Sequence, residues 1–342
     1  MSCCLDLNLV WFILIGVLLT GYALLDGFDL GVGTLHLFAD GDEERRLSMN
    51  SIGPVWDGNE VWLLTGGGAL FAAFPDVYAT VFSGFYLAIM LLLFALIFRA
   101  ISLEFRSKRK MPWWRVAWDR AFGLGSLSAS LLLGVALGNI ARGIPLGADG
   151  EFAGTFFGLL HPYPVLVGLT TVALFAMHGA LYLGLKTEGD FQERVRGRAL
   201  KAFIAFAVLY AATTLATWTG LPHMTEAIAT RPVLFLIPVL TVLAMANIPR
   251  ELRAGRDLRA LLSSGAVIAL LMLVFGIGIF PNMVLSDPHP EYSLTIYNAS
   301  SSPKTLGIML IIALIGMPLV LTYTAYVYRV FRGKVKLDTT SY

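Results

Sequence analysis

Apolar residues in this chain come in long runs, not in alternation or narrow stripes. Windows of about 20 apolar residues, the length a helix needs to cross a bilayer, recur near residues 9–38, 54–74, 77–105, 119–141, 163–185, 199–220, 232–248, 261–283 and 304–329. The pattern predicts nine transmembrane helices. The first and third runs are longer than a bilayer requires, which predicts tilt or protrusion. Most of the 15 prolines punctuate connections, Pro75, Pro112, Pro145, Pro288 and Pro290 among them.

Composition narrows the class further. The 342 residues are 57% hydrophobic and 14% charged, with a mean hydropathy of +0.73. A soluble protein needs far more polar surface, so the expected fold class is an all-α polytopic membrane protein. Residues 1–342 read as a single integral-membrane helical bundle, without a soluble domain, a low-complexity tract or an internal repeat. The first run has no positively charged flank and is too long for a cleavable signal peptide. Cys3 and Cys4 are adjacent, no CxxC or CxxCH is present, and the two read as unremarkable thiols.

The net charge of +2 says less than its distribution. Taking one turn into each neighbouring helix, five connections on one side (39–53, 106–118, 186–198, 249–260 and the segment after 329) hold 21 of the 25 Lys and Arg. Arg142, Arg231 and Lys304 fall on the other side, and Arg99 lies inside a helix. Because Lys and Arg accumulate in cytoplasmic loops, the N-terminus is expected in the periplasm and the C-terminus in the cytoplasm. The same asymmetry accounts for the basic loops without nucleic acid.

Against this apolar background a few polar residues stand out. Each charge near a bilayer centre costs on the order of 2.5–3.5 kcal/mol by insertion scales. In "LLDGFDLGVG", Asp26 and Asp29 are three apart and share a helix face. They lie roughly 18 and 13 Å from the inner end of the first run. Gly27 and Gly31 form a GxxxG that admits a close helix neighbour, so this part of the helix is expected to pack in protein. The pair is either a structural one, capped by hydroxyls or an arginine, or a proton-handling one. The second run opens "GPVWDGNEVWLLTGGG". Asp57 and Glu60 lie about 6 and 10 Å in, flanked by Trp56, Asn59 and Trp62, and Gly66, Gly67 and Gly68 permit tight packing. These acids either line a cavity or complement the positive end of a helix. Arg99 either snorkels or is the counter-charge. All these groups fall in the cytoplasmic half. A buried carboxylate beside a cation or a water file can take up and release protons, because burial and the cation act on it in opposite directions.

His178, in "FAMHGALYLG", is mid-helix but has no opposing partner. It reads as hydrogen-bonded to a neighbouring helix and not as a haem ligand. No P-loop, HExxH, GxSxG or dinucleotide fingerprint is present, so no soluble-type active site, metal site or cofactor site is expected on this chain.

Several stretches resemble a known family. "LLDGFDLGVG", "WDGNEVWLLTGGGALFAAFP", "YATVFSGFYLAIMLLLFALIFRAISLEFRSK", "LLGVALGN", "SLTIYNASSSPKTL" and "LTYTAYVYRVF" are similar to subunit II of the cytochrome bd quinol oxidases. The likeness is dense over residues 9–145 and about 270–332, and elsewhere lies more in hydropathy. It implies a terminal oxidase of the bacterial cytoplasmic membrane that oxidises quinol, reduces oxygen to water and takes protons from the cytoplasm. Two b haems and one d haem are then expected on the partner, subunit I, and none on this chain. Membrane lipid, quinone and a small accessory subunit are further partners the family admits. By the same resemblance, Asp26 and Asp57 match the family's intramembrane acids tied to proton delivery and the haem-proximal interface. Trp56 and Arg99 match the adjacent aromatic and the buried arginine, and Glu60 stands where family members often carry an amide. The competing reading is a stand-alone proton-coupled secondary transporter, for which intramembrane acids and glycine-interrupted helices are suitable. An odd helix count and the lack of an inverted repeat speak against it.

Overall fold

The computed structural model describes residues 6–337, so Cys3 and Cys4 lie outside the described residues. In chain order the α-helices are α1 (Leu7–His36), α2 (Gly41–Ile52), α3 (Trp56–Ala73), α4 (Pro75–Gly84), α5 (Tyr86–Phe105) and α6 (Pro112–Arg142). They continue as α7 (Pro162–Lys186), α8 (Gly189–Gly220), α9 (Pro222–Thr230), α10 (Leu236–Arg253), α11 (Asp257–Ile279) and α12 (Pro303–Val330). One antiparallel strand pair, β1 (Asn282–Val284) with β2 (Leu294–Thr295), stands between α11 and α12. Among the described residues, eight helices are long and apolar enough to cross a membrane: α1, α5, α6, α7, α8, α10, α11 and α12. The protein is therefore an all-α polytopic membrane protein, as its apolar runs predict.

The run at 54–74 becomes α3, an 18-residue helix. Asp57, Asn59 and Glu60 occupy its first turns, so its apolar part is shorter than in the eight others. The run at 77–105 does not form one helix. It divides at Phe85 into α4 and α5, just after the Ser83-Gly84 pair, a common site of kinks. There a Cβ on Gly84 would press into the Phe152 side chain of the α6–α7 connection. The connection 39–53 contains α2, whose sequence GDEERRLSMNSI is too polar for an apolar window to reveal. Asp42, Glu43 and Glu44 in its first turn suit the positive end of a helix. For the same reason α6 and α8 begin before their apolar runs, at Pro112 and Gly189.

Helix α7 is the hub and packs against α1, α6, α8 and α11. It is buried without interruption from Ala173 to Gly184, and α1 likewise from Asp26 to His36. The two helices cross at Gly31 and Gly179. A Cβ on Gly31 would fall on the Phe175 carbonyl oxygen, and one on Gly179 would fall on the backbone of Gly31 and Val32. Only a pair of glycines permits this approach. The GxxxG of α1 therefore serves α7, while Asp26 turns toward α5 and Asp29 toward α3. Both faces are buried, but against different neighbours. Of the glycine triplet Gly66–Gly68 in α3, only Gly66 faces neighbours, Leu19 and Leu18. A Cβ on Gly67 or Gly68 would meet nothing within 4 Å.

The two ends of the bundle differ in chemistry. At one end an apolar cluster joins Trp11, Ile15, Phe74, Phe85, Ile144 and Val284, and Trp11 Nε1 donates to the Leu306 carbonyl at 3.0 Å. At the basic end, ion pairs hold the elements together. Asp119 of α6 receives His36 Nε2 at 2.8 Å, Arg45 at 3.1 Å and Arg106 Nε at 2.5 Å. Arg106, only 1% exposed, also reaches Asp42 at 2.7 Å, and Arg115 meets the same acid at 3.4 Å. Arg194 and Arg198 bind Glu44, and Arg196 binds Asp257. Several cations that the loop pattern reads only as orientation signals are thus structural ties.

Candidate functional site

Three polar residues of α1, Tyr22, Asp26 and Asp29, are spaced by four and three residues and lie on one face. Opposite them α5 supplies Arg99. Asp26, Asp29 and Arg99 are all 0% exposed. The guanidinium grips Asp26 with both terminal nitrogens, at 2.5 and 3.1 Å, the bidentate form that gives arginine–carboxylate pairs their strength and direction. Asp29 Oδ2 stands 3.9 Å from the same guanidinium, and Glu60 Oε2 of α3 stands 4.0 Å from it. The Glu60 side chain is 22% exposed, so it is the member of the set nearest the surface of the chain.

Asn59 ties the set to the end of the sequence. Its Nδ2 donates to Asp29 Oδ2 at 2.8 Å and to the Leu25 carbonyl at 3.3 Å, and its Oδ1 accepts from the Tyr328 hydroxyl of α12 at 2.9 Å. A carboxylate only accepts and a phenol donates readily, so this amide orientation satisfies both partners. Helices α1, α3, α5 and α12 therefore converge on one polar centre. Three of its buried atoms, the Tyr22 hydroxyl, Asp29 Oδ1 and Arg99 Nε, make no hydrogen bond to any described residue. They retain capacity for further hydrogen bonding.

Of the six residues singled out from the sequence, the fold brings four together: Asp26, Asp29, Glu60 and Arg99. Asp57 is exposed, yet close enough to Glu60 to act on it electrostatically. Trp56 is half-buried and packs on the main core. Asn59 stands out in the sequence only as one more polar group, and neither Tyr22 nor Tyr328 stands out at all. The one signal for Tyr22 is that it continues the Asp26 face one turn earlier. Nothing in local spacing connects Tyr328 to Asn59 across the chain.

His178 has both ring nitrogens engaged, Nδ1 with the Ser264 hydroxyl at 2.6 Å and Nε2 with the Leu24 carbonyl at 3.0 Å. The ring thus links α7 to α11 and α1 and does not present a nitrogen to a metal. Among the described residues no group of three His, Cys, Asp or Glu side chains is placed to hold a metal ion.

Fold and site define a polytopic membrane protein with one deeply buried carboxylate–guanidinium centre. The family described as cytochrome bd terminal oxidase subunit II matches residues 7–331, and the chain belongs to this family. It is 37% identical to the cytochrome bd-I ubiquinol oxidase subunit 2 of Escherichia coli K12, over 96% of this chain and 95% of that protein. It is 38% identical to the cytochrome bd ubiquinol oxidase subunit 2 of Bacillus subtilis 168, over 96% and 97% of the two chains. In fold it resembles a chain in the structure of bd oxidase from Geobacillus thermodenitrificans, with a TM-score of 0.79 and 17% identity, over 96% of this chain and 99% of that one.

Proposed function

We propose that this chain is the haem-free second subunit of a quinol-oxidising bd-type oxidase in the bacterial cytoplasmic membrane. In this reading the haems, two of b type and one of d type, reside on subunit I. This chain supports that partner and contributes part of a proton path from the cytoplasm in an electrogenic reaction. Helix α3 is taken as the ninth span, with the N-terminus periplasmic and the C-terminus cytoplasmic, as the placement of 21 of the 25 basic residues favours.

The observation that carries the proton-path reading is the Asp26–Arg99 centre. Three carboxyls share one guanidinium within 4.0 Å, so the set is electroneutral only with two protons held among the carboxyls. In a medium that penalises unbalanced charge, such a set has the capacity to hold and exchange protons. Exposed Asp57 and partly exposed Glu60 lead from the chain surface toward it. Family membership supports the oxidase assignment, and the ubiquinol oxidase names of the relatives support quinol as the electron donor.

Asp26→Asn and Asp57→Asn in the intact complex test the path. Quinol oxidase turnover is expected to fall about a hundredfold, the lower end for loss of a proton-transfer group, with haem content retained in at least one variant. Full turnover and full proton uptake in both variants would leave the acids with a structural role only.

A further inference from the structure

Helices α5 and α6 leave an open seam between them. Leu91, Ala95 and Phe98 on one side and Ala121, Leu124 and Ser128 on the other line a groove of about 520 Å³. Ser128 is the one polar side chain along it. The groove follows α6 from Ala121 to Leu132, about 17 Å at the helical rise. That is roughly half of a 30 Å hydrocarbon core, the depth of one leaflet.

Toward the basic end the groove meets a wall of aromatic rings. Phe105 lies two turns beyond Phe98 on α5, and Trp118 lies one turn before Ala121 on α6. Their ring centres are 5.9 Å apart, and Trp114 and Trp113 extend the wall at 5.6 and 5.8 Å. Trp114 Nε1 donates to the Phe105 carbonyl at 2.9 Å, which fixes the start of α6 against the end of α5. Trp113 is 63% exposed. Indole rings at this level are what a bilayer–water boundary favours.

Just past the wall come Lys108, Arg109 and Lys110, all exposed. The neighbouring cations Arg106 and Arg115 are engaged by Asp119 and Asp42. Lys108, Arg109 and Lys110 make no ion pair with any described residue. Three exposed cations without an ion pair among the described residues therefore cap an apolar, leaflet-deep groove with an aromatic rim between them.

We propose that this is a binding site for an anionic phospholipid of the cytoplasmic leaflet. One acyl chain lies in the groove, the glycerol level meets Phe105 and Trp113, and the phosphate sits on Lys108, Arg109 and Lys110. Charge complementarity selects this occupant. A quinone brings an uncharged head that leaves the cations without a counter-ion, and a zwitterionic lipid brings a cation of its own.

The test uses the intact oxidase complex, stripped of lipid in mild detergent and offered phosphatidylglycerol or phosphatidylcholine. Native mass spectrometry counts the lipid retained. The wild type is expected to retain phosphatidylglycerol in preference to phosphatidylcholine. Joint Lys108→Gln, Arg109→Gln and Lys110→Gln substitution is expected to weaken phosphatidylglycerol retention at least tenfold. Ser128→Trp, which fills the groove from its rim, is expected to lower retention while the subunits stay assembled. Equal retention of the two lipids by the wild type overturns the proposal, as does undiminished retention by the triple variant. So does dissociation of the subunits on Ser128→Trp, which makes the groove a protein interface, or displacement of phosphatidylglycerol by quinone.

Discussion

Replacing Arg99 with glutamine is expected to cost the protein about 3–5 kcal/mol of stability, the usual consequence of removing one partner of a buried ion pair. The size follows from the geometry. Asp26 is 0% exposed, and its two oxygens both take their hydrogen bonds from Arg99. Without the guanidinium, the buried Asp26 carboxyl loses the counter-charge and both hydrogen bonds that Arg99 supplies. The measurement is the thermal midpoint and the yield of the assembled complex. The double variant Asp26→Asn with Arg99→Gln separates charge from packing. It removes both charges and keeps much of the volume, so it is expected to recover most of the loss. A single variant as stable as wild type would mean that the pair is not the anchor its geometry describes. Lysine is expected to be a poor substitute, because an ammonium cannot span both oxygens of Asp26.

The second large effect is expected at Gly31. A methyl group there would fall on the backbone carbonyl of Phe175, and a carbonyl locked in a helix cannot move aside as a side chain can. Gly31→Leu forces α1 and α7 apart along the most buried stretch of both. The loss is expected to exceed the usual 1–3 kcal/mol of overpacking and to abolish recovery of folded protein, read as the monodisperse fraction on size exclusion. Gly67→Ala is the control. A Cβ at that position meets nothing within 4 Å, so alanine is expected to be neutral or to stabilise the helix by up to about 1 kcal/mol. If Gly31→Leu survives as well as Gly67→Ala, the crossing is looser than the contact between the two glycines indicates.

These sites differ in how readable they are. The spans follow from apolar runs, because a membrane helix has to satisfy its backbone internally and cover itself with hydrocarbon side chains. Asp26, Asp29 and Arg99 stand out for the same reason, as exceptions to that rule. What the pattern conceals is direction. The spacing places Gly27 and Gly31 next to the acids in the chain, and only the packing reveals that the glycines face α7 and the acids α5 and α3. Helix α2 is concealed because it is polar, and the break at Phe85 because α4 and α5 are apolar on both sides of it. Arg106 and Asp119 sit near a basic loop, where charge is ordinary, so nothing local marks them as buried partners. The Asn59–Tyr328 bond spans 269 positions, and no periodicity reaches so far.

That last bond has a consequence for how the protein is made. A chain enters the membrane from its N-terminus, so α1, α3 and α5 are in place long before α12 is synthesised. Until then Asn59 lacks the phenol that orients it and holds Asp29 with one side of its amide unanchored. The Trp11 indole, too, waits for the Leu306 carbonyl. The polar centre is therefore finished only once α12 has been made. A protein interrupted before α12 carries an incomplete centre among α1, α3 and α5, with the Asn59 amide short of one partner.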